Sequence, residues 1–346
     1  MFIFGKIILI ISVMNKIKFS IMALAAVIIC SCGENGMHLK KTITGKAGEV
    51  VIVVDKTNWE AEPGTALRNL LAADYPMLPQ KEPAFNLVNI PKASFSDIFQ
   101  SLRNIIIMDI NSGLKEDNME MKSDVWATPQ IVIYLHARSS AGCAELINKN
   151  AEVIYNALEQ AERDRIIRNS KKYEEASIRK AVAEKFGGSP YFPNGYSIKK
   201  ATENFMWISY ETTYINQDFL IYSLPFNGKS CPSLDTLISK ENEVLKKNVP
   251  GPQDNSYMII ASEKLPTLNW YKYKNESFAE MRGLWEVQND FMGGPFVEHF
   301  FYAKDGKSLL VVMGFVYAPR YNKRNYLRQV EAIIYSFDWQ ENFQNK

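Results

Sequence analysis

The chain has 346 residues, with 47% hydrophobic and 23% charged side chains, enough apolar content to bury a sizeable core and too much for a disordered or collagen-like polymer. A formal charge of +2 gives no basic excess of the kind nucleic acid selects, and four cysteines are too few for a disulfide scaffold. Residues 1–31 read as a bacterial lipoprotein signal peptide. Lys16 and Lys18 supply positive charge, and residues 21–29 form an apolar run shorter than the roughly 20 residues a stable spanning helix needs. Ser31-Cys32-Gly33 then places a small residue before a cysteine, with Ile29 three positions upstream of it. This is the lipobox pattern, and it marks Cys32 as the expected site of lipidation. Cys30 is the poorer candidate because bulky Ile29 precedes it. Met14 opens a more typical signal sequence and is the expected translation start. Cleavage before Cys32 removes Lys6, Lys16 and Lys18 and no acid, so the charge falls by three from +2 to −1. Several acyl chains on Cys32 would hold the protein at a membrane, where one chain alone is marginal. Gly33 in place of an inner-membrane retention Asp favours the outer membrane, on its periplasmic side. Residues 32–43 read as a polar tether.

The expected fold class is mixed α/β or α+β, in two sandwich-like halves, an N-terminal domain at 44–188 and a C-terminal domain at 189–346. In the first, residues 49–54, 104–110 and 130–136 are apolar, β-branched runs that read as buried strands. Helices are expected over 63–74 and from about Ser94 to Leu102, giving βαβ-type units and a partly parallel sheet. Residues 140–186 form the longest helical stretch. Ile147, Ile154 and Leu158 lie on one stripe, and mixed charges from Glu159 onward read as a solvated face. In the second half, residues 204–225 read as a hairpin turning near 216–218, and Ser233 as the cap of a helix to about Asn248. Strands are expected at 257–261, 270–274 and 282–287. Residues 296–303 and 308–317 flank Asp305-Gly306, a strong hairpin signal, and 323–336 reads as an amphipathic closing helix. An antiparallel sheet covered by two helices is similar to the α/β/α sandwich of the PsbP/Mog type.

Several short motifs occur in order: the lipobox, Thr44-Gly45-Lys46-Ala47-Gly48-Glu49 with its following strand and Asp55, Arg103-Asn104-Ile105-Ile106, Arg282-Gly283-Leu284-Trp285-Glu286, and Gly293-Gly294-Pro295-Phe296. Together they resemble a Bacteroidetes family of lipoproteins that carries a domain of unknown function, over nearly the whole mature chain. The resemblance implies an envelope lipoprotein and brings no catalytic residues with it.

Motifs of known chemistry are few. The three histidines, His38, His136 and His299, lack metalloprotease spacing, and no Cys-x-x-Cys pair is present. Thr44 to Gly48 contains Gly-Lys but precedes a strand, whereas a phosphate loop follows a strand and opens a helix. Ser177-Ile178-Arg179-Lys180 and Ser197-Ile198-Lys199-Lys200 have Ser-x-x-Lys spacing without the accompanying penicillin-enzyme motifs. Cys143 and Cys231 could pair across the halves in an oxidising envelope or remain buried thiols, and buried thiols are preferred. Candidate binding residues are Asp55, Trp59, Asp109, Arg282, Trp285 and Arg320, aromatic, acidic and guanidinium groups near strand ends where a ring can stack or an anion can pair. The bland reading of the same residues is core and rim. No metal, cofactor or nucleic-acid partner is expected. The expected partners are the membrane, through the lipid anchor, and an envelope protein or glycan. A non-enzymatic binding or assembly factor leads. The alternatives are a cell-wall or glycan hydrolase using acids such as Asp55 and Asp109, and a glycan-binding lipoprotein.

Overall fold

A computed structural model describes residues 40–226, 232–274, 276–304 and 306–343. The signal peptide, Cys32, Cys231 and Asp305 lie outside the described residues. Residues 42–346 form one compact unit.

The first half is built on a five-stranded sheet. Its strands are β1 (Glu49–Val53), β2 (Asn86–Ile90), β3 (Asn104–Ile110), β4 (Asn118–Ser123) and β5 (Ile131–Ala137). Their order is β2-β1-β3-β5-β4, parallel throughout except for β4 at one edge. The unbroken Val/Ile runs of β1 and β3 are explained by burial on both faces. Val50 and Ile52 point into the main core, and Val51 and Val53 into a smaller cluster on the opposite face with Ile105 and Val132. β2 and β4 were not expected from sequence. Both are edge strands whose exposed positions alternate with half-buried ones, so neither carries an apolar run. Helix α1 (Glu62–Leu71) starts with Pro63 in its first turn and buries Leu67 and Leu71. The stretch expected as one long helix is three: α2 (Ser140–Lys149), α3 (Ala151–Lys172) and α4 (Ala176–Phe186). Gly187, at φ 78°, ends the last of them. The expected helix near 94–102 shrinks to one turn at Asp97–Gln100.

The second half is an eight-stranded, wholly antiparallel sheet. Its strands are β6 (Ser197–Ala201), β7 (Phe205–Glu211), β8 (Asn216–Pro225), β9 (Tyr257–Ile260), β10 (Thr267–Tyr273), β11 (Glu276–Gln288), β12 (Gly293–Tyr302) and β13 (Ser308–Tyr317). The order is β9-β11-β12-β13-β8-β7-β6, with β10 paired to the other end of β11. The hairpin of β7 and β8 turns at 212–215, slightly earlier than the sequence suggested. One face is covered by α5 (Leu234–Asn248), which Ser233 caps by accepting from the Thr236 N–H. The other is covered by α6 (Arg324–Tyr335), whose Leu327, Val330, Ile333 and Ile334 are buried. The antiparallel sheet with covering helices is therefore as expected. The core under α6 runs on without interruption beneath α1, α2 and α3 to the parallel sheet, so the two halves share one hydrophobic interior.

Gly314 of β13 sets how closely α6 lies on the sheet. A Cβ there would stand 2.2 Å from Val330 Cγ1 and 3.2 Å from Ile334 Cδ1. Gly314→Ala is expected to destabilise the fold by about 1–3 kcal/mol through overpacking, measurable as a lower urea midpoint with an unchanged slope.

Candidate functional site

Charge concentrates where α3, α6 and β11 meet, and this corrects in part the expectation of a solvated face on α3, of which Asp164, Arg168 and Lys172 are exposed. Glu162 is 2% exposed, and the side chains of Arg163 and Arg165 are largely covered. On α6, Glu331 accepts from Arg163 Nη2 at 2.8 Å, Arg282 Nη2 at 2.7 Å and the Tyr75 hydroxyl at 3.2 Å. On β11, Glu280 accepts from Arg282 Nε at 2.7 Å and the Tyr335 hydroxyl at 2.9 Å, and lies 3.0 Å from His299 Nε2. His299 stacks on Phe278 at 4.1 Å, and Arg163 lies 3.9 Å over the Tyr335 ring.

Burial alone would push both carboxyls up. The Arg282 guanidinium beside both, helped by Arg163 at Glu331 and His299 at Glu280, holds them below the ordinary carboxylate range. Burial pushes His299 down, so its ring stays neutral and donates from Nε2 to Glu280, leaving a buried Nδ1 with no partner. Arg328 of α6 pairs similarly with Glu159 of α3 and donates to the Ala84 carbonyl at 2.7 Å.

Above this floor opens a cleft of about 320 Å³. Tyr75, Tyr155, Tyr271, Tyr273 and Tyr335 surround it, with Asn156 and Lys272 at the mouth. Gln160 ties the two sides by donating to the Tyr273 hydroxyl at 3.2 Å. Because the floor charges neutralise one another, a ligand would meet chiefly aromatic faces, hydroxyls, an amide and an ammonium.

The sequence candidates scatter. Arg282 belongs to the network. Trp285, three residues on along the same strand, points to the opposite face, where it is buried against Phe315 and Tyr317 with its N–H 3.3 Å from the Val316 carbonyl. The two therefore do not share a cleft. Asp55 and Asp109 stand at the C-terminal ends of neighbouring parallel strands, two residues past the Val53–Ile107 pair. Asp55 is exposed, and Asp109 is bound by Lys92 Nζ at 3.1 Å with His136 Nδ1 at 3.5 Å. The Lys92 hydrogen bond keeps the Asp109 carboxyl below its ordinary value. Trp59 is half-buried beneath Arg68, whose guanidinium is 4.6 Å from the ring centre. Arg320 is exposed and lies 5.4 Å from the Tyr214 ring. Cys143 is a free, buried thiol, pushed up to about 12 by burial and nearby Asp117. Sequence reasoning missed Tyr75, Arg163, Glu280, Glu331 and Tyr335, and singled out no role for His299. Among the described residues, no three His, Cys, Asp or Glu side chains converge as a metal set, and no helix is long and apolar enough to cross a membrane.

Two family models match the chain. Residues 43–171 match a domain of unknown function, DUF8532, and residues 175–336 match another, DUF4837, so the matches meet at the end of α3. No curated protein matches. Among solved structures, the human StarD13 (DLC2) lipid transfer and protein localization domain is similar at 12% identity and a TM-score of 0.21, over 47% of this chain and 95% of that one, too slight a likeness to establish a common fold.

Proposed function

For a chain that carries DUF8532 ahead of DUF4837, we propose a lipid-anchored envelope protein that binds a polar envelope component, a glycan or a peptide, without transforming it. The support for the anchor is the Ser31-Cys32-Gly33 lipobox behind a short apolar run, the resemblance to Bacteroidetes lipoproteins supports an envelope protein, and Gly33 in place of a retention Asp favours the periplasmic side of the outer membrane. The observation that carries the binding function is the cleft ringed by five tyrosines over pairwise-neutralised charges. Rigid tyrosine rings supply contact area and hydroxyls at low conformational entropy, which suits a polar ligand with apolar faces. A second reading places a sugar on Trp270, which is 52% exposed and stacks on Tyr302 with ring centres 6.1 Å apart.

Titration calorimetry of the detergent-solubilised, lipidated protein with muropeptides and envelope oligosaccharides tests both readings. Saturable binding weakened about tenfold or more by Tyr271→Ala is expected. Binding lost only in Trp270→Ala favours the second reading, and binding indifferent to both contradicts the cleft. Mass spectrometry of the mature N-terminus is expected to find an acylated Cys32, and an unmodified Cys32 contradicts the anchor.

A further inference from the structure

On the other side of α3 lies a second cleft, of about 420 Å³, between Arg103 at the start of β3, the C-terminal half of α3, the 193–196 loop and α6. Arg103, Arg165 and Arg328 line it with one acid, Glu162, while Arg328 is also paired with Glu159 of α3. That acid is already fully engaged: it accepts from Arg103 Nη1 at 2.9 Å, Arg165 Nη1 at 3.0 Å and Asn104 Nδ2 at 2.8 Å. Three donors remain without an acceptor although their atoms are buried, namely Arg103 Nε, Arg328 Nη1 and the Ser170 hydroxyl. Ser170 is 1% exposed and Arg328 4%. Buried polar atoms of native proteins are nearly always satisfied, and a guanidinium left short of acceptors is among the least tolerable exceptions.

The surroundings fit an acceptor-rich occupant. Arg328 Nη1 faces the Ala47-Gly48 wall, where a Cβ on Gly48 would stand 2.7 Å from it, so the glycine keeps that side open to the guanidinium. Amide side chains of Asn169, Asn194 and Gln329 line the remainder. Burial, opposed by Glu162 but reinforced by Arg103 and Arg168, brings Arg165 down to about 10. The volume is at the small end of ligand sites, which excludes a macromolecular strand.

We propose that this cleft is a binding site for a small oxyanion ligand, a phosphate or carboxylate compound whose oxygens accept from Arg103, Arg328 and Ser170. The site is separate from the tyrosine cleft and stands without it.

Calorimetry on the full, solubilised chain with inorganic phosphate in one arm and citrate in the other distinguishes the two oxyanion sources. One probe is expected to bind saturably at a single site, more weakly as salt is raised. Ser170→Ala, which removes one neutral hydroxyl, is expected to weaken it about threefold to tenfold, and Arg103→Gln about tenfold or more. Should Arg103→Gln fail to fold, Ser170→Ala, which leaves every ion pair intact, decides alone. No binding of either probe at about 10 mM, or binding unaffected by Ser170→Ala, overturns the proposal.

Discussion

Glu331→Ala is expected to lower the free energy of unfolding by about 3–5 kcal/mol, the range found when one partner of a buried ion pair is removed. The carboxylate is 6% exposed and neutralises Arg163 from α3 and Arg282 from β11 while accepting from Tyr75 of the first half. Its loss leaves Arg163 without its carboxylate, Arg282 with Glu280 alone and the Tyr75 hydroxyl without its acceptor, in a site from which water is largely excluded. Because these partners come from three separate parts of the chain, the effect spreads across the seam between the halves. Glu331→Gln keeps an acceptor but not the charge, and is expected to fall between wild type and alanine. Urea unfolding at neutral pH measures both. A loss below about 1 kcal/mol for Glu331→Ala, the scale of an exposed pair, would show that the network is solvated and that the cleft floor is not fixed.

The second large effect is on pH dependence. Glu241 of α5 and Glu298 of β12 are completely buried in the apolar layer on the far face of the antiparallel sheet, with Tyr222 near both. None of their four carboxyl oxygens has a hydrogen-bond partner at ordinary distance. Burial raises both, and the neighbouring Glu241 carboxyl raises Glu298 further, so the pair stays protonated in the folded protein well above the ordinary carboxylate range. In the unfolded chain both ionise near the ordinary value. The folded state thus holds more protons over that interval. The stabilisation is complete below the ordinary value and is lost as pH rises through the raised ones, at about 1.4 kcal/mol per pH unit for each proton. Asp218, pushed up to about 6 by burial, adds a smaller effect of the same sign at the lower end. Between pH 5 and 9 the urea midpoint of the wild type is expected to fall steadily, and that of the Glu241→Gln, Glu298→Gln double variant to stay nearly level. Parallel profiles for the two proteins would contradict a protonated pair.

The architecture was legible where the chain repeats one physical signal for long enough. Unbroken Val/Ile runs revealed β1, β3 and β5, and the spacing of Leu327, Val330, Ile333 and Ile334 revealed α6. β2 and β4 escaped because an edge strand needs only one half-buried face. The site was far less legible, for two reasons. Strand alternation sends Arg282 and Trp285 to opposite faces, so neighbours in sequence do not become neighbours in a cleft. The network itself joins residues as distant as Tyr75 and Glu331, and no local pattern connects them. Two signals were available. Glu331 lies four residues after Leu327 and three before Ile334, an acid on the apolar stripe of a helix, where burial demands a cationic partner. Glu280 and Arg282, two apart on one strand face, supplied a second.

The most direct test of the binding function is photocrosslinking in intact cells, with a benzophenone side chain placed at Tyr271 in the tyrosine cleft and, as a control, at exposed Tyr214. The expected result is an ultraviolet-dependent adduct to an envelope glycan or peptide from position 271 and none from position 214. Adducts from both positions alike, or from neither, would contradict a ligand seated in that cleft.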